Sequence, residues 1–347
     1  MARRSTASVF ARAYERNLKA LTKLTLRNSK RVAGQVTRAA AKQMKPPPGR
    51  GDWLSGMALG PAGARRYHLF RPAELQLAPG ERLPLMVMLH GCGQTGRDFA
   101  ISTRMNALAV RHRFLVLYPE QDRIAHPQGC WNWYERRSGK ADAEAATLMA
   151  AVDQVCMLYP ADRERVAVAG LSAGASMAAL LATRYPARFR AVAMHSGVAP
   201  GAARSSATAI GAMRGRNVPP MPVTAVGKAI GAAAVFATLP PMLVLHGDGD
   251  AVVAPSNARH SAEVWAAAVG AVAGPVRAVK RGKRLPMRLT DYRRRGRALV
   301  VLCEIAQLGH AWSGGAARGL FSDPAGPDAT RMVWAFAAAQ FKAVAKG

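Results

Sequence analysis

The sequence predicts an α/β fold, a mostly parallel β-sheet with helices on both faces. Two observations carry this reading. Apolar runs at 67–70, 85–89, 114–118, 166–169, 191–194, 242–245 and 299–303 alternate with helical patterns at about 99–112, 143–158, 173–185, 257–269 and 329–344. The runs are close to continuously apolar, as in strands buried on both sheet faces by crossover helices.

Taken in order, the chain opens with a segment apart. Phe10, Tyr14, Leu18 and Leu21 recur at helical spacing, and Arg12, Arg16, Lys19, Lys23 and Arg27 fill other faces. A basic amphipathic helix is expected over 1–45. Pro46, Pro47, Pro48 and Gly49 stop it and act as a linker. The expected organisation is therefore a basic segment with its linker over 1–48 and one α/β domain over 49–347. Residues 200–240, rich in Ala, Gly and Pro, and the basic stretch 277–297 fit the alternation poorly and read as surface insertions.

Composition narrows the partners. The 347 residues carry 49 Lys and Arg against 20 acidic residues, a net charge of +29. Such a balance favours anionic surfaces such as membrane lipid or nucleic acid. No run of about 20 apolar residues suggests a transmembrane helix. Arg3 and Arg4 are followed by no apolar signal core, so no secretory signal is expected, which favours a cytoplasmic or granule-associated protein. Cys92, Cys130, Cys156 and Cys303 include no C-x-x-C pair, so neither a zinc site nor a dense disulfide framework is expected.

The chemistry centres on Gly170-Leu171-Ser172-Ala173-Gly174, which follows the run 166–169 and opens a helix. G-x-S-x-G between strand and helix is the nucleophile elbow of the α/β-hydrolase fold. A serine hydroxyl attacks only when exposed beside a base, and the sharp turn lifts it out of the sheet. The helix start behind it offers free N–H groups to an oxyanion. Ser172 is thus the expected nucleophile. The acid should follow the next strands and the base the last one. The run 242–245 leads into His246-Gly247-Asp248-Gly249-Asp250, where Asp250 is the expected acid and Asp248 its alternative. The run 299–303 leads to His310, the expected base that takes the Ser172 proton and returns it to the leaving alcohol. The run 85–89 ends in His90-Gly91-Cys92-Gly93, and the backbone N–H groups of Cys92 and Ala173 are the expected oxyanion donors.

The same loop also spells G-x-G-x-x-G over 91–96, a dinucleotide fingerprint, with Glu120 near the position of a ribose-binding acid. An NAD-dependent oxidoreductase is therefore a rival reading, but it leaves the elbow, Asp250 and His310 without a role.

These residues carry a family resemblance. L-H-G-C-G-Q-T (89–95), C-W-N-W-Y (130–134), D-R-E-R-V-A-V-A-G-L-S-A-G (162–174), R-Y-P-A-R-F (184–189), H-S-G (195–197), H-G-D-G-D-A-V-V (246–253) and G-H-A-W-S-G-G (309–315) occur in order. Together they resemble the poly(3-hydroxybutyrate) depolymerase-type esterases, which include feruloyl and acetylxylan esterases. The resemblance implies a Ser172, Asp250, His310 triad and ester hydrolysis without metal or cofactor. It also implies a substrate among short hydroxyalkanoate esters or, alternatively, polysaccharide esters, and it points to an extracellular setting. With the chain ending at Gly347, no C-terminal polymer-binding domain is expected. The basic N-terminal helix is expected to anchor the protein to a polyester granule or anionic membrane instead. The rival from another class is a nucleic-acid- or membrane-binding protein on a hydrolase scaffold.

Trp131, Trp133 and Trp312 are the expected substrate-contacting aromatics. A Cys92–Cys130 disulfide is a further expectation, because both lie in loops after strands. Cys156 and Cys303 are expected to be buried, His195 to be structural, and Asp142 to cap the helix that follows it.

Overall fold

The computed structural model describes residues 46–216 and 239–344. The chain divides into two units, Met1–Pro46 and Pro47–Gly347, and the following concerns the second. The helix expected over 1–45 lies outside the described residues.

The second unit is built on an 11-stranded sheet. Its centre is formed by β3 (Leu83–Leu89), β4 (Leu115–Pro119), β5 (Ala161–Leu171), β6 (Ala191–His195), β7 (Met242–Gly247) and β11 (Arg297–Ile305). These run in the order β4-β3-β5-β6-β7-β11, and every neighbouring pair is parallel. On one flank, β1 (Gly51–Gly60) and β2 (Gly63–Pro72) form a hairpin, and β2 pairs antiparallel with β4. On the other flank, β10 (Met287–Arg294) pairs antiparallel with β11 and carries the short β8 (Val272–Ala273) and β9 (Arg277–Val279) on its outer edge.

The apolar runs split between two cores, as the pleat requires. Leu85, Val87 and Leu89 of β3 face one core with α3 (Lys140–Leu158), α4 (Ala173–Arg184) and α6 (Ser256–Val269). Met86 and Met88 face the other with α1 (Gly96–Thr103), α2 (Met105–His112) and α7 (Ala329–Val344). All five of these β3 side chains are 0% exposed. Both cores are buried and apolar, so a polar group at a strand end is held in place by stiff packing.

Three expectations are corrected. The single helix expected near 99–112 is two, because Arg104 adopts φ 56° between α1 and α2 and its guanidinium donates to Gly314 O at 2.5 Å. The stretch 277–297 is no loose insertion. It supplies β9 and β10, with Met287, Thr290 and Tyr292 buried. Within 200–240, Ser206–Met213 forms α5, opened by a Ser205–Thr208 capping box, and 217–238 lie outside the described residues.

Candidate active site

The parallel strands all end on one side of the sheet, and there the elbow forms. Ser172 follows β5 with φ 56° and ψ −121°, a strained backbone for a residue with a side chain. The turn is tight enough to require its flanking glycines. A Cβ on Gly174 would lie 2.1 Å from Leu89 O, and one on Gly170 would lie 2.3 Å from Gly174 C. Ser172 N–H donates to His195 O at 2.9 Å, which ties the elbow to the end of β6. The serine itself is half-buried.

Ser172, Ala173 and Cys92 line one cavity of about 260 Å³. The N–H groups of Cys92 and Ala173 meet no acceptor among the described residues. The rest of the wall is largely apolar, with Trp133, Val198, Ile210, Met213 and Val253, while His126 and Tyr134 add polar edges. Ile210 and Met213 come from α5, so the segment read as an insertion closes the pocket. The volume lies just under the range of about 300–1,000 Å³ that suits drug-sized ligands, so it fits a small group.

Asp250 and His310 are brought together from the ends of β7 and β11. His310 Nδ1 lies 2.8 Å from Asp250 Oδ2. The other oxygen, Oδ1, accepts the N–H groups of Val252 and Val253, both at 2.9 Å. Burial alone would raise the Asp250 carboxyl. Hydrogen bonds from His246 and His310, with the His310 charge and the Val253 N–H, more than offset it and hold the group well below the usual carboxylate range. Asp248 is exposed and accepts Gln307 N–H at 2.6 Å, which ties the turn.

Two further histidines support this arrangement, His246 and His195, the second expected from the sequence to be structural. His246 Nε2 lies 3.2 Å from Asp250 Oδ2 and 2.9 Å from Val253 O, so it carries the proton and donates to both acceptors. His195 is fully buried, and its Nε2 accepts Ser313 N–H at 3.1 Å. Burial, with the His246 and His310 charges, pushes its pKa down to about 3, so it is neutral at pH 7. One residue thus holds the elbow through its carbonyl and the His310 loop through its ring.

The loop after β3 is held from behind by a buried polar network. His90 Nε2 accepts Gln121 N–H at 3.1 Å, and Trp131 Nε1 donates to His90 O at 2.9 Å. The Gln121 side chain accepts from Arg65 and donates to Cys130 O and Glu144. Glu144 also accepts Asn132 N–H at 2.9 Å. Burial chiefly pushes His90 down to about 4. Trp131 and Trp312 are corrected by this packing, since both are 0% exposed and neither lines the cavity. Trp131 braces the loop. Trp312 donates to Thr330 Oγ1 at 2.9 Å and meets Phe99 edge-on. Of the three tryptophans, Trp133 lines the pocket. Asp142 receives the Arg184 guanidinium at 2.6 and 2.8 Å and makes no cap.

Cys92 and Cys130 form a disulfide that spans 38 residues. Cys156 and Cys303 are free and buried. Closing a loop of that length is worth about 4 kcal/mol through the unfolded chain. Reduction under native conditions is expected to lower the thermal midpoint by several degrees, read by circular dichroism with and without phosphine reductant. An unchanged midpoint with both thiols titrating would contradict this.

The dinucleotide reading finds no support in the geometry. The helix start that would receive a pyrophosphate is occupied by carboxylates. Thr95 and Asp98 form a capping box, and Glu120 accepts Gly96 N–H at 2.7 Å. Burial pushes Glu120 up to about 7, and an anionic ligand would meet two acids there.

Comparison with known proteins agrees with this architecture. The family described as Esterase PHB depolymerase matches residues 66–280. Poly(3-hydroxyalkanoate) depolymerase C of Paucimonas lemoignei is 32% identical over 182 residues, which are 52% of this chain and 44% of that protein. Acetylxylan esterase A of Talaromyces purpureogenus is 25% identical over 264 residues, 71% of this chain and 63% of that one. The chain thus spans less than two thirds of the length of these relatives. An acetyl xylan esterase from Aspergillus awamori superposes with a TM-score of 0.60 at 21% identity, over 75% of this chain and 94% of that structure, which establishes the α/β-hydrolase fold.

Proposed function

Because the chain belongs to the esterase PHB depolymerase family, we propose that it hydrolyses carboxylic esters through an acyl-enzyme on Ser172. The observation that carries this is the shared cavity. Cys92, Ser172 and Ala173 open onto one apolar pocket, while Asp250 holds His310 from the neighbouring strand ends.

The reaction then follows from the residues. His310 Nδ1–H donates to Asp250, which leaves Nε2 bare as the base. It takes the Ser172 proton as Oγ attacks the ester carbonyl. The negative oxygen moves into the N–H groups of Cys92 and Ala173, each worth about 2.7–4 kcal/mol in the transition state. His310 then protonates the departing alcohol. Water repeats the sequence and frees the acid and Ser172.

The proposed substrates are short-chain polyhydroxyalkanoates, notably polyhydroxybutyrate, or their oligomers; the Paucimonas relative is named a poly(3-hydroxyalkanoate) depolymerase and the family is described as PHB depolymerase. A small, largely apolar pocket suits a short acyl unit. The second reading is an acetyl ester of a polysaccharide, favoured by the acetylxylan esterase relative that covers 71% of this chain. We further propose that the basic segment over 1–45 contacts a polyester granule or an anionic membrane through its net positive charge.

Hydrolysis of p-nitrophenyl acetate, butyrate and octanoate, of 3-hydroxybutyrate oligomers and of acetylated xylan tests the reading. Turnover of the oligomers with a preference for butyrate over octanoate is expected. Acetate release from xylan without oligomer turnover would favour the second reading. No turnover of any ester would overturn both.

A further inference from the structure

An apolar and cationic surface lies beside His310, and the proposed catalysis makes no use of it. Leu320 and Phe321 are 47% and 41% exposed. Their outward position is built by the backbone. Leu320 O accepts Gln94 Nε2 and Ser102 Oγ, both at 2.7 Å, and Phe321 O accepts Trp312 N–H at 2.8 Å. Phe321 is held at φ 51°, a left-handed conformation that costs energy for an aromatic residue. Its ring lies edge-on to His310, with centroids 6.3 Å apart. Packing has fixed this loop yet left both side chains in water.

The cationic part is the turn between β9 and β10. β9 pairs with Met287–Leu289, which oppose Cys303–Ile305 at the carboxyl end of β11, so the turn projects from the same end of the sheet as Ser172. It is stitched to the apolar loop's continuation. Leu285 N–H donates to Ala325 O at 2.9 Å, and the Arg284 guanidinium donates to Gly326 O at 3.1 Å and to Pro324 O. Between 277 and 297 the chain carries ten Lys or Arg and a single acid, Asp291. Asp291 is already bound by Arg277 and Arg293, at 2.9 Å each. Lys280, Arg281 and Lys283 are exposed on the turn.

We infer that this face docks the mouth of the site onto an anionic lipid surface, with Leu320 and Phe321 entering the apolar layer and the β9–β10 turn meeting the headgroups. An uncharged polyester alone would give the lysines nothing to bind. A nucleic acid would give Leu320 no apolar phase, and Tyr292, the one aromatic residue of the basic stretch, is buried. A lipid–water boundary satisfies both halves of the surface. This contact is separate from the one proposed for residues 1–45.

The test uses the full chain with vesicles of phosphatidylcholine containing phosphatidylglycerol, read by co-sedimentation. Each basic side chain at such a surface contributes about 1 kcal/mol, so Lys280→Glu with Lys283→Glu is expected to weaken binding at least about thirtyfold. The charge-matched control, Arg295→Glu with Arg297→Glu at the opposite end of the sheet, is expected to weaken it far less. Leu320→Asp is expected to weaken it as well. Turnover of soluble p-nitrophenyl acetate by the lysine variant should equal that of the wild type, so binding is read apart from catalysis. Equal loss in the lysine variant and its control would reduce the effect to net charge and overturn the inference. So would unchanged vesicle binding, or loss of binding to a DNA duplex with vesicle binding intact.

Discussion

Replacement of Ser172 by alanine is expected to lower kcat on p-nitrophenyl butyrate by about a millionfold, the scale seen when a serine nucleophile is removed from such a triad. That corresponds to about 8 kcal/mol of transition-state stabilisation. A residual rate is expected from the proposed oxyanion donors, the N–H groups of Cys92 and Ala173, which can still polarise a carbonyl for attack by water. The fold should survive. The Ser172 N–H bond to His195 O is a backbone bond, and alanine keeps it. The strained φ of 56° is imposed by the turn, whose glycines at 170 and 174 are untouched. Unchanged circular dichroism with lost turnover is the expected pair. Turnover near the wild-type rate would place the nucleophile elsewhere.

Asp250→Asn should cost about 10⁴-fold in kcat, and here the hydrogen bonds dictate the mechanism. Oδ1 accepts two N–H groups, from Val252 and Val253. The asparagine oxygen must take that position, which turns its NH₂ toward His310 Nδ1. Imidazole must then accept at Nδ1 and carry its proton on Nε2, which is the wrong tautomer for the base proposed for Ser172. The same NH₂ also confronts the Nε2–H of His246. A second consequence concerns stability. Since the folded carboxyl titrates below its unfolded value, its ionisation stabilises the fold above the ordinary carboxylate range and fades as pH falls toward the folded value. The variant should lose this contribution at neutral pH. Kinetics and thermal melts at pH 7 check both effects, and a kcat within tenfold of wild type would contradict the assignment of Asp250.

The parts of this account visible in the sequence are those where one local pattern sufficed. A buried strand is an apolar run, and an elbow is a pentapeptide between a run and a helix. Asp250 and His310 could be proposed because their strands end where ligands meet an open α/β sheet. The choice between Asp250 and Asp248 was less accessible, since it depends on which carboxylate points inward from one turn.

The flanking antiparallel strands are harder to read. β1 contains three internal or terminal glycines beside exposed Met57 and Leu59, and β10 mixes buried Met287, Thr290 and Tyr292 with three exposed arginines. Both are arms of hairpins, and their place in the sheet depends on the long-range pairing of β2 with β4 and of β11 with β7 rather than on local pattern. Trp131 and Trp312 looked like pocket aromatics because they lie in loops. Their indole N–H groups find acceptors in His90 O and Thr330 Oγ1, so both can be buried at little cost. His195 is legible only as a structural residue and His246 carries no local signal at all, because the particular bonds each makes arise when β6, β7 and the His310 loop converge.

The central claim is that one serine accepts the acyl group. Its most direct test is to treat the full chain with a fluorophosphonate, digest it and locate the adduct by mass spectrometry. The account predicts a single stoichiometric adduct on Ser172, formed in step with loss of ester hydrolysis and absent from the Ser172→Ala variant. Full inactivation with the adduct on another residue, or ester turnover that survives complete labelling of Ser172, would contradict it.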